Sequence, residues 1–169
     1  MSIVGLSTNA KDVAKGLDIS RREMRIVMHD ALEKTAQKAR GDYQRVTKTW
    51  HHKPDIVTDI NTRGGQIEMM VGTDDKIFAY VYQGTGPHAI KPKRAKALRF
   101  FSGFRPKTTP GHLGSGAGGV SGNIIFSQGV WHPGTKARRF TEKIQKRLDK
   151  YGPRFLDRAL QKWARRRGR

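Results

Sequence analysis

The sequence predicts an α+β fold, a long N-terminal helix packed on a small, mostly antiparallel sheet, with C-terminal helices. Three observations predict it. An apolar stripe at three- and four-residue spacing runs from Met24 to Val46. Period-two runs separated by turn residues occupy the middle of the chain. A second helical pattern, rich in Lys and Arg, fills the C-terminal part. The 169 residues fit one domain, or one domain with an appendage. They are expected to divide into an N-terminal arm over 1–19, a single α+β domain over 20–150 and a basic C-terminal helix and tail over 151–169.

Taken in order, residues 9–18 suit one short helical turn before a boundary. Ser20-Arg21-Arg22-Glu23 reads as a capping box, in which the Ser20 hydroxyl accepts from the Glu23 N–H and Glu23 reaches back. Behind it Met24, Val27, Met28, Ala31, Leu32, Thr35, Ala39, Tyr43 and Val46 define one face of a helix over roughly 20–46, and such a stripe serves as core or interface. Trp50-His51-His52-Lys53-Pro54 breaks the pattern. Residues 55–62 and 66–73 alternate around Ile56, Ile60, Ile67, Met69 and Val71, and Arg63-Gly64-Gly65 joins them as a hairpin. Thr73-Asp74-Asp75 can cap a short helix carrying Ile77, Tyr80 and Val81, a strand being the alternative.

Residues 97–101 and 122–127 read as two further strands. Between them, residues 102–121 contain six Gly and two Pro, the composition of a long loop or an extended hairpin that is functional or mobile. Beyond His132-Pro133-Gly134-Thr135 the chain turns helical through Phe140, Ile144 and Leu148. Tyr151-Gly152-Pro153 is expected to end that helix and start another, which carries Phe155, Leu156, Ala159, Leu160 and Trp163.

The formal charge of +20 is unevenly spread. Residues 51–85 carry 3 basic and 5 acidic groups, residues 86–135 carry 7 basic and no acidic groups, and residues 136–169 carry 14 basic and 3 acidic groups. Such a field attracts polyanions: nucleic acid, an anionic membrane or an acidic protein neighbour. The candidate contacts are Lys91, Lys93, Arg94, Lys96, Arg99, Arg105 and Lys107, with Arg165, Arg166 and Arg167 at the end of the last helix. No apolar run approaches the ~18 residues of a membrane span, and the first residues lack a basic segment followed by a long apolar one. With no Cys, the chain has no disulfide framework, thiolate metal site or Cys nucleophile.

Nothing in the sequence argues for catalysis, a metal or a cofactor. Gly114-Ser115-Gly116-Ala117-Gly118-Gly119 satisfies GxGxxG, but a strand follows it instead of preceding it, and position 139 is Arg where an acidic residue is needed. It reads as a flexible loop. The six His form no local metal pattern. His88 and His132 each abut a Pro and are expected to organise turns, together with Gly84, Gly86, Pro87, Pro133 and Gly134.

Two segments, in this order, carry a resemblance. One is Val71-Gly72-Thr73-Asp74, then Tyr80-Val81-Tyr82-Gln83-Gly84-Thr85-Gly86-Pro87-His88, Ile90-Lys91-Pro92-Lys93 and Ala97-Leu98-Arg99-Phe100. The other is His132-Pro133-Gly134-Thr135-Lys136-Ala137-Arg138-Arg139-Phe140, opening a C-terminal helix. The chain thereby resembles the neck and tail-completion proteins of long-tailed bacteriophages, often described as phage tail components. The resemblance implies a non-enzymatic virion subunit, made in the host cytoplasm, that assembles into a six- or twelve-fold ring at the head–tail joint or the top of the tail.

Its neighbours would be a portal-side connector and tail terminator or tube proteins, with no membrane involved. Lys and Arg lining the channel would meet phage DNA without reading its sequence. The turns around Gly84 and Pro133 would fix the ends of the sheet against the C-terminal helix. Met24, Met28 and Leu32, with Phe101, Phe104 and Leu113 from the Gly-rich segment, are the expected inter-subunit or inter-ring contacts. The competing reading is a free-standing, sequence-nonspecific nucleic-acid-binding protein, although no helix-turn-helix, zinc knuckle or ribonucleoprotein aromatic motif occurs. A hydrolytic tail enzyme has no supporting site.

Overall fold

The computed structural model of the chain describes residues 2–9 and 19–167. Its elements are β1 (Ser2–Asn9), α1 (Arg21–Thr47), β2 (Val57–Arg63), β3 (Gln66–Thr73), α2 (Lys76–Gln83), β4 (His88–Ile90), β5 (Leu98–Arg105), β6 (Gly119–Ser127), β7 (Val130–His132) and α3 (Phe140–Arg167). The fold is α+β, with long helices and small antiparallel sheets. Where the sequence predicts one domain over 20–150, the chain clusters into two units. The first comprises residues 1–44, 55–74 and 141–169, and the second comprises residues 45–54 and 75–140. The short turn expected over 9–18 falls, beyond Asn9, outside the described residues.

In the first unit the capping box forms as the sequence implies. The Glu23 N–H donates to Ser20 Oγ at 3.2 Å, and the Ser20 N–H donates to the Glu23 carboxylate at 3.1 Å. The Ser20 hydroxyl and backbone hold the Glu23 carboxyl below its usual range. All nine residues of the α1 stripe are buried. Met24 and Met28 are 0% exposed and Leu32 is 6% exposed, which corrects the expectation that they face a neighbouring subunit. They belong to the core of the protomer, in which the alternating face of β3, Ile67, Met69 and Val71, is buried as well.

The strands of this unit are ordered β1-β3-β2, all antiparallel. The β2–β3 loop is the two-residue turn Gly64-Gly65, both at positive φ (61° and 91°), as a hairpin turn with the native twist demands. The N-terminal segment is therefore not simply an arm: β1 pairs along the whole of β3, from Ser2↔Thr73 to Asn9↔Gln66.

The C-terminal helix is continuous, and the break expected at Tyr151-Gly152-Pro153 does not occur. Ile144, Leu148, Gly152, Phe155 and Ala159 stay in phase on one stripe, with Ile144, Leu148, Gly152 and Ala159 buried. Packing of that stripe outweighs the missing backbone bond to the Asp149 carbonyl, and proline's fixed φ is already helical. The helix is tied to α1 and β1 by polar contacts. Arg147 lies 3.3 Å from the buried Asp42 carboxylate, and the Gln145 side chain exchanges two hydrogen bonds of 3.1 Å with the Gly5 backbone. Burial, with the Asp42 charge nearby, pushes the Tyr151 hydroxyl up to about 12.

Candidate functional site

The second unit contains most of both segments that carry the resemblance, and its construction starts at Asp75. The Asp75 carboxylate caps α2 by accepting from the Phe78 N–H at 2.7 Å, and it meets His52 Nε2 at 2.5 Å. Desolvation pushes this carboxyl up, but the hydrogen bonds from Phe78 and His52 outweigh it and hold the group below its usual range. On the apolar side of α2, Phe78 is fully buried, with ring centroids 6.0 Å from Trp50 and 5.8 Å from Phe140.

The last carbonyls of α2 would be orphaned without outside donors. The second motif segment supplies them: Arg138 N–H donates to Tyr82 O at 3.0 Å and Arg139 N–H to the same oxygen at 3.2 Å. Arg139 reaches that position at a φ of 53°. The chain leaves the helix at Gly84 with φ 76°, where a Cβ would lie 2.5 Å from the Thr135 carbonyl oxygen. Gly134, at φ 86°, leaves no room for a Cβ against the Thr85 carbonyl. Both glycines are thus obligatory. Gly86 is not, since a Cβ there would meet open space.

This close approach lets the two segments pair. Thr85 and Thr135 exchange backbone hydrogen bonds of 3.0 Å in each direction, and their hydroxyls lie 3.1 Å apart. Strands β4 and β7 continue the ladder as His88↔His132, Ala89↔Trp131 and Ile90↔Val130. The two imidazoles stand with centroids 5.2 Å apart, and each locks its own turn. His88 Nδ1 donates to Gly86 O at 2.9 Å, and His132 Nδ1 accepts the Gly134 N–H at 3.0 Å. Of the predicted turn residues, Gly84, His88, His132 and Gly134 therefore belong to one pairing of two segments, with Pro87 and Pro133 beside the histidines in sequence.

The Gly-rich segment is smaller than its composition suggests. Strands β5 and β6 run to Arg105 and from Gly119, so 106–118 is the loop, and a bulge lies between Phe101 and Gly103. Ser102 Oγ accepts the Asn123 N–H at 3.1 Å at this irregularity. The loop is fastened within the chain. Thr49 N–H donates to Ser115 Oγ at 3.2 Å, Thr49 Oγ1 donates to Gly116 O at 2.6 Å and Ser115 Oγ donates to Arg45 O at 3.3 Å. The Lys107 ammonium donates to Thr49 O at 2.8 Å, so this residue, expected at a polyanion, is engaged as a strut. The GxGxxG run lies in this loop and the start of β6, with no strand leading directly into it.

Much of the apolar surface of the β5–β6 ribbon is exposed, whereas Leu98 and Phe100, on the side opposite Phe101, are half-buried. Phe101, Phe104, Val120, Ile124, Ile125 and Phe126 are all exposed, Phe104 at 73% and Phe126 at 67%. Leu113 is half-buried. Lys91, Lys93, Arg94, Lys96, Arg99 and Arg105 are exposed around the same ribbon, and the Arg99 guanidinium lies 5.9 Å from the Phe101 ring centroid. Phe104 and Val120 also border a cleft of about 610 Å³ with Trp50, Ile77, Val81 and Arg138. Arg165, Arg166 and Arg167, in the first unit, end α3 exposed, with Arg167 5.2 Å over the Trp163 ring. Their position at a helix C-terminus is itself favourable to cations.

Among the described residues, no group of three or more acidic or His side chains converges to hold a metal ion. No described helix is long and apolar enough to cross a membrane. No family model, curated protein or solved structure matches the chain.

Proposed function

We propose that this chain is a structural subunit of a tailed-phage virion, without catalytic activity, forming a ring at the head–tail joint or the top of the tail. It acts there in tail completion and head–tail joining, between a portal-side connector and tail terminator or tube proteins. The observation that carries the reading is the pairing of the two motif segments across Thr85↔Thr135 and His88↔His132. Both segments serve one piece of architecture, so the residues behind the resemblance act together as a structural unit. The exposed apolar surface of the ribbon supports a role in assembly, because a two-stranded sheet with an exposed apolar face calls for a partner.

The exposed cations at 91–105 support a second role toward the DNA passage, by phosphate contact without sequence preference. The same cations favour, as the second reading, a free-standing nucleic-acid-binding protein. Electron microscopy of virions with this chain labelled separates the two. The proposal expects label in one layer between capsid and tail, and label absent from the particle overturns it.

A further inference from the structure

Every apolar side chain on one face of the β5–β6 ribbon is exposed. In register, Arg99 pairs with Phe126 and Phe101 with Ile124, so these four point to the same side. Phe101, Ile124 and Phe126 are 39%, 44% and 67% exposed. Among the described residues the ribbon's strands pair only with each other, leaving two open edges. The segment 86–135 that holds it has no carboxylate, so nothing near it in sequence balances Lys96 and Arg99.

A second surface in the same chain has the opposite character. The burial of β3 alternates, so Gln66, Glu68 and Met70 face away from the core. Their partners on β2 are Arg63, Asn61 and Asp59, with Val57 two residues further along the same face. Val57 and Met70 are 57% and 40% exposed, and the Asp59 and Glu68 carboxylates are exposed beside them. This antiparallel face carries Val57 and Met70 with two carboxylates against one cation, Arg63, and lies in the acidic stretch of the sequence, residues 51–85.

We propose that the ribbon face of Arg99, Phe101, Ile124 and Phe126 docks on the outer β2–β3 face of a second copy of this chain. The two faces match in chemistry: aromatic against Met70 and Val57, cation against Asp59 and Glu68. Charge complementarity matters here, because a chain of +20 repels its own copies unless opposite charges meet at the contact. The two faces differ, so the contact is heterologous and propagates head to tail until a rotation closes it. The inference rests on the ring reading and gives it a specific interface.

Two charge-reversed proteins test it, a ribbon variant (Lys96→Glu with Arg99→Glu) and a sheet variant (Asp59→Lys with Glu68→Lys), each followed by analytical ultracentrifugation. Wild type is expected to self-associate, each variant to weaken that association at least tenfold, and an equimolar mixture of the two to recover it. The chain has no Cys, so Phe126→Cys mixed with Met70→Cys gives an independent readout. A disulfide dimer forming only in the mixture supports the contact, whereas disulfide dimers forming as readily in Phe126→Cys alone identify a ribbon-on-ribbon contact and overturn it. A sheet variant that assembles like wild type also overturns it and leaves the ring reading intact. A wild type that stays monomeric at the highest concentration reached overturns it too, and the ring reading is then judged by the label in virions.

Discussion

Met28→Ala distinguishes a core role for the α1 stripe from an interface role. The side chain is 0% exposed in the single chain, on the same helical face as Met24 and Leu32. Truncation removes three heavy atoms, worth about 2 kcal/mol at roughly 0.8 kcal/mol for each buried methylene-sized group. A residual cavity of ~40 Å³ adds about 1 kcal/mol at roughly 24 cal/mol per Å³. The sum of ~3 kcal/mol lies inside the span of about 2–5 kcal/mol typical of buried Met→Ala changes. For a chain of this size each kcal/mol lowers the melting temperature by roughly 2–4 °C, so the expected drop is about 6–12 °C. Circular dichroism melts at low protein concentration, where assembly is absent, provide the assay. A variant that melts with wild type yet assembles poorly would refute the reasoning and return the stripe to an interface.

Three further outcomes are expected. Gly134→Ala has no room for its Cβ against the Thr85 carbonyl, at a backbone φ of 86°; it should lower stability by more than ~1 kcal/mol in urea titrations, while Gly86→Ala, in open space, should stay within about 0.5 kcal/mol. The depressed Asp75 carboxyl contributes stability that is present above its unfolded pKa and falls away as pH drops through the lower folded value. Asp75→Asn keeps a capping oxygen, so its melting temperature at neutral pH should stay near wild type while its decline below pH ~4 becomes shallower; an unchanged acid limb counts against the ion contact with His52. Replacing Lys91, Lys93, Arg94 and Lys96 by Gln should flatten the salt dependence of DNA binding, the log–log slope shrinking by about 0.9 for each phosphate that is no longer neutralised. Deleting residues 165–169 should change it less, and an unaltered slope in the quadruple variant would point to an acidic protein as the partner of this segment.

The elements legible in the sequence are those that local chemistry decides. Ser20 and Glu23 cap α1 within four residues, Gly64-Gly65 supplies both positive-φ positions of its hairpin turn, and Asp75 reaches the Phe78 N–H within its own turn. The rest depends on distant partners. Strand β1 is defined by β3, some sixty residues on, although Ile3-Val4 and Thr8 are β-branched signals that could have marked it. Strands β4 and β7 have three residues each, too few for a period to show. The loop at 106–118 is held through the Thr49 N–H and hydroxyl and the backbone carbonyls of Arg45 and Thr49, more than fifty residues away in sequence. The α1 stripe is legible as a face, but a stripe alone does not state whether its own chain or a neighbour covers it; its burial within the single chain does.

The pairing of the motif segments changes where function is to be sought. Gly84 and Gly134 allow Thr85 and Thr135 to meet, and His88 and His132 close the turns that flank that meeting. Each imidazole bonds the backbone of its own turn, and the two threonines bond each other's backbone, so these polar groups serve the pairing itself. Their product is a rigid two-strand joint, fixed at one end by the Asp75 cap of α2 and leading from β4 through the basic stretch 91–96 into the exposed ribbon. The uncovered surface that this joint presents is apolar and cationic at once, with Arg99 over Phe101 as its smallest unit. A duplex phosphate backbone would use the cations and leave Phe104, Ile124 and Phe126 in water, whereas a protein face with exposed carboxylates uses both. The mixed chemistry of the ribbon therefore favours a protein neighbour there, and leaves the purely cationic approach at 91–96 as the part suited to phosphate.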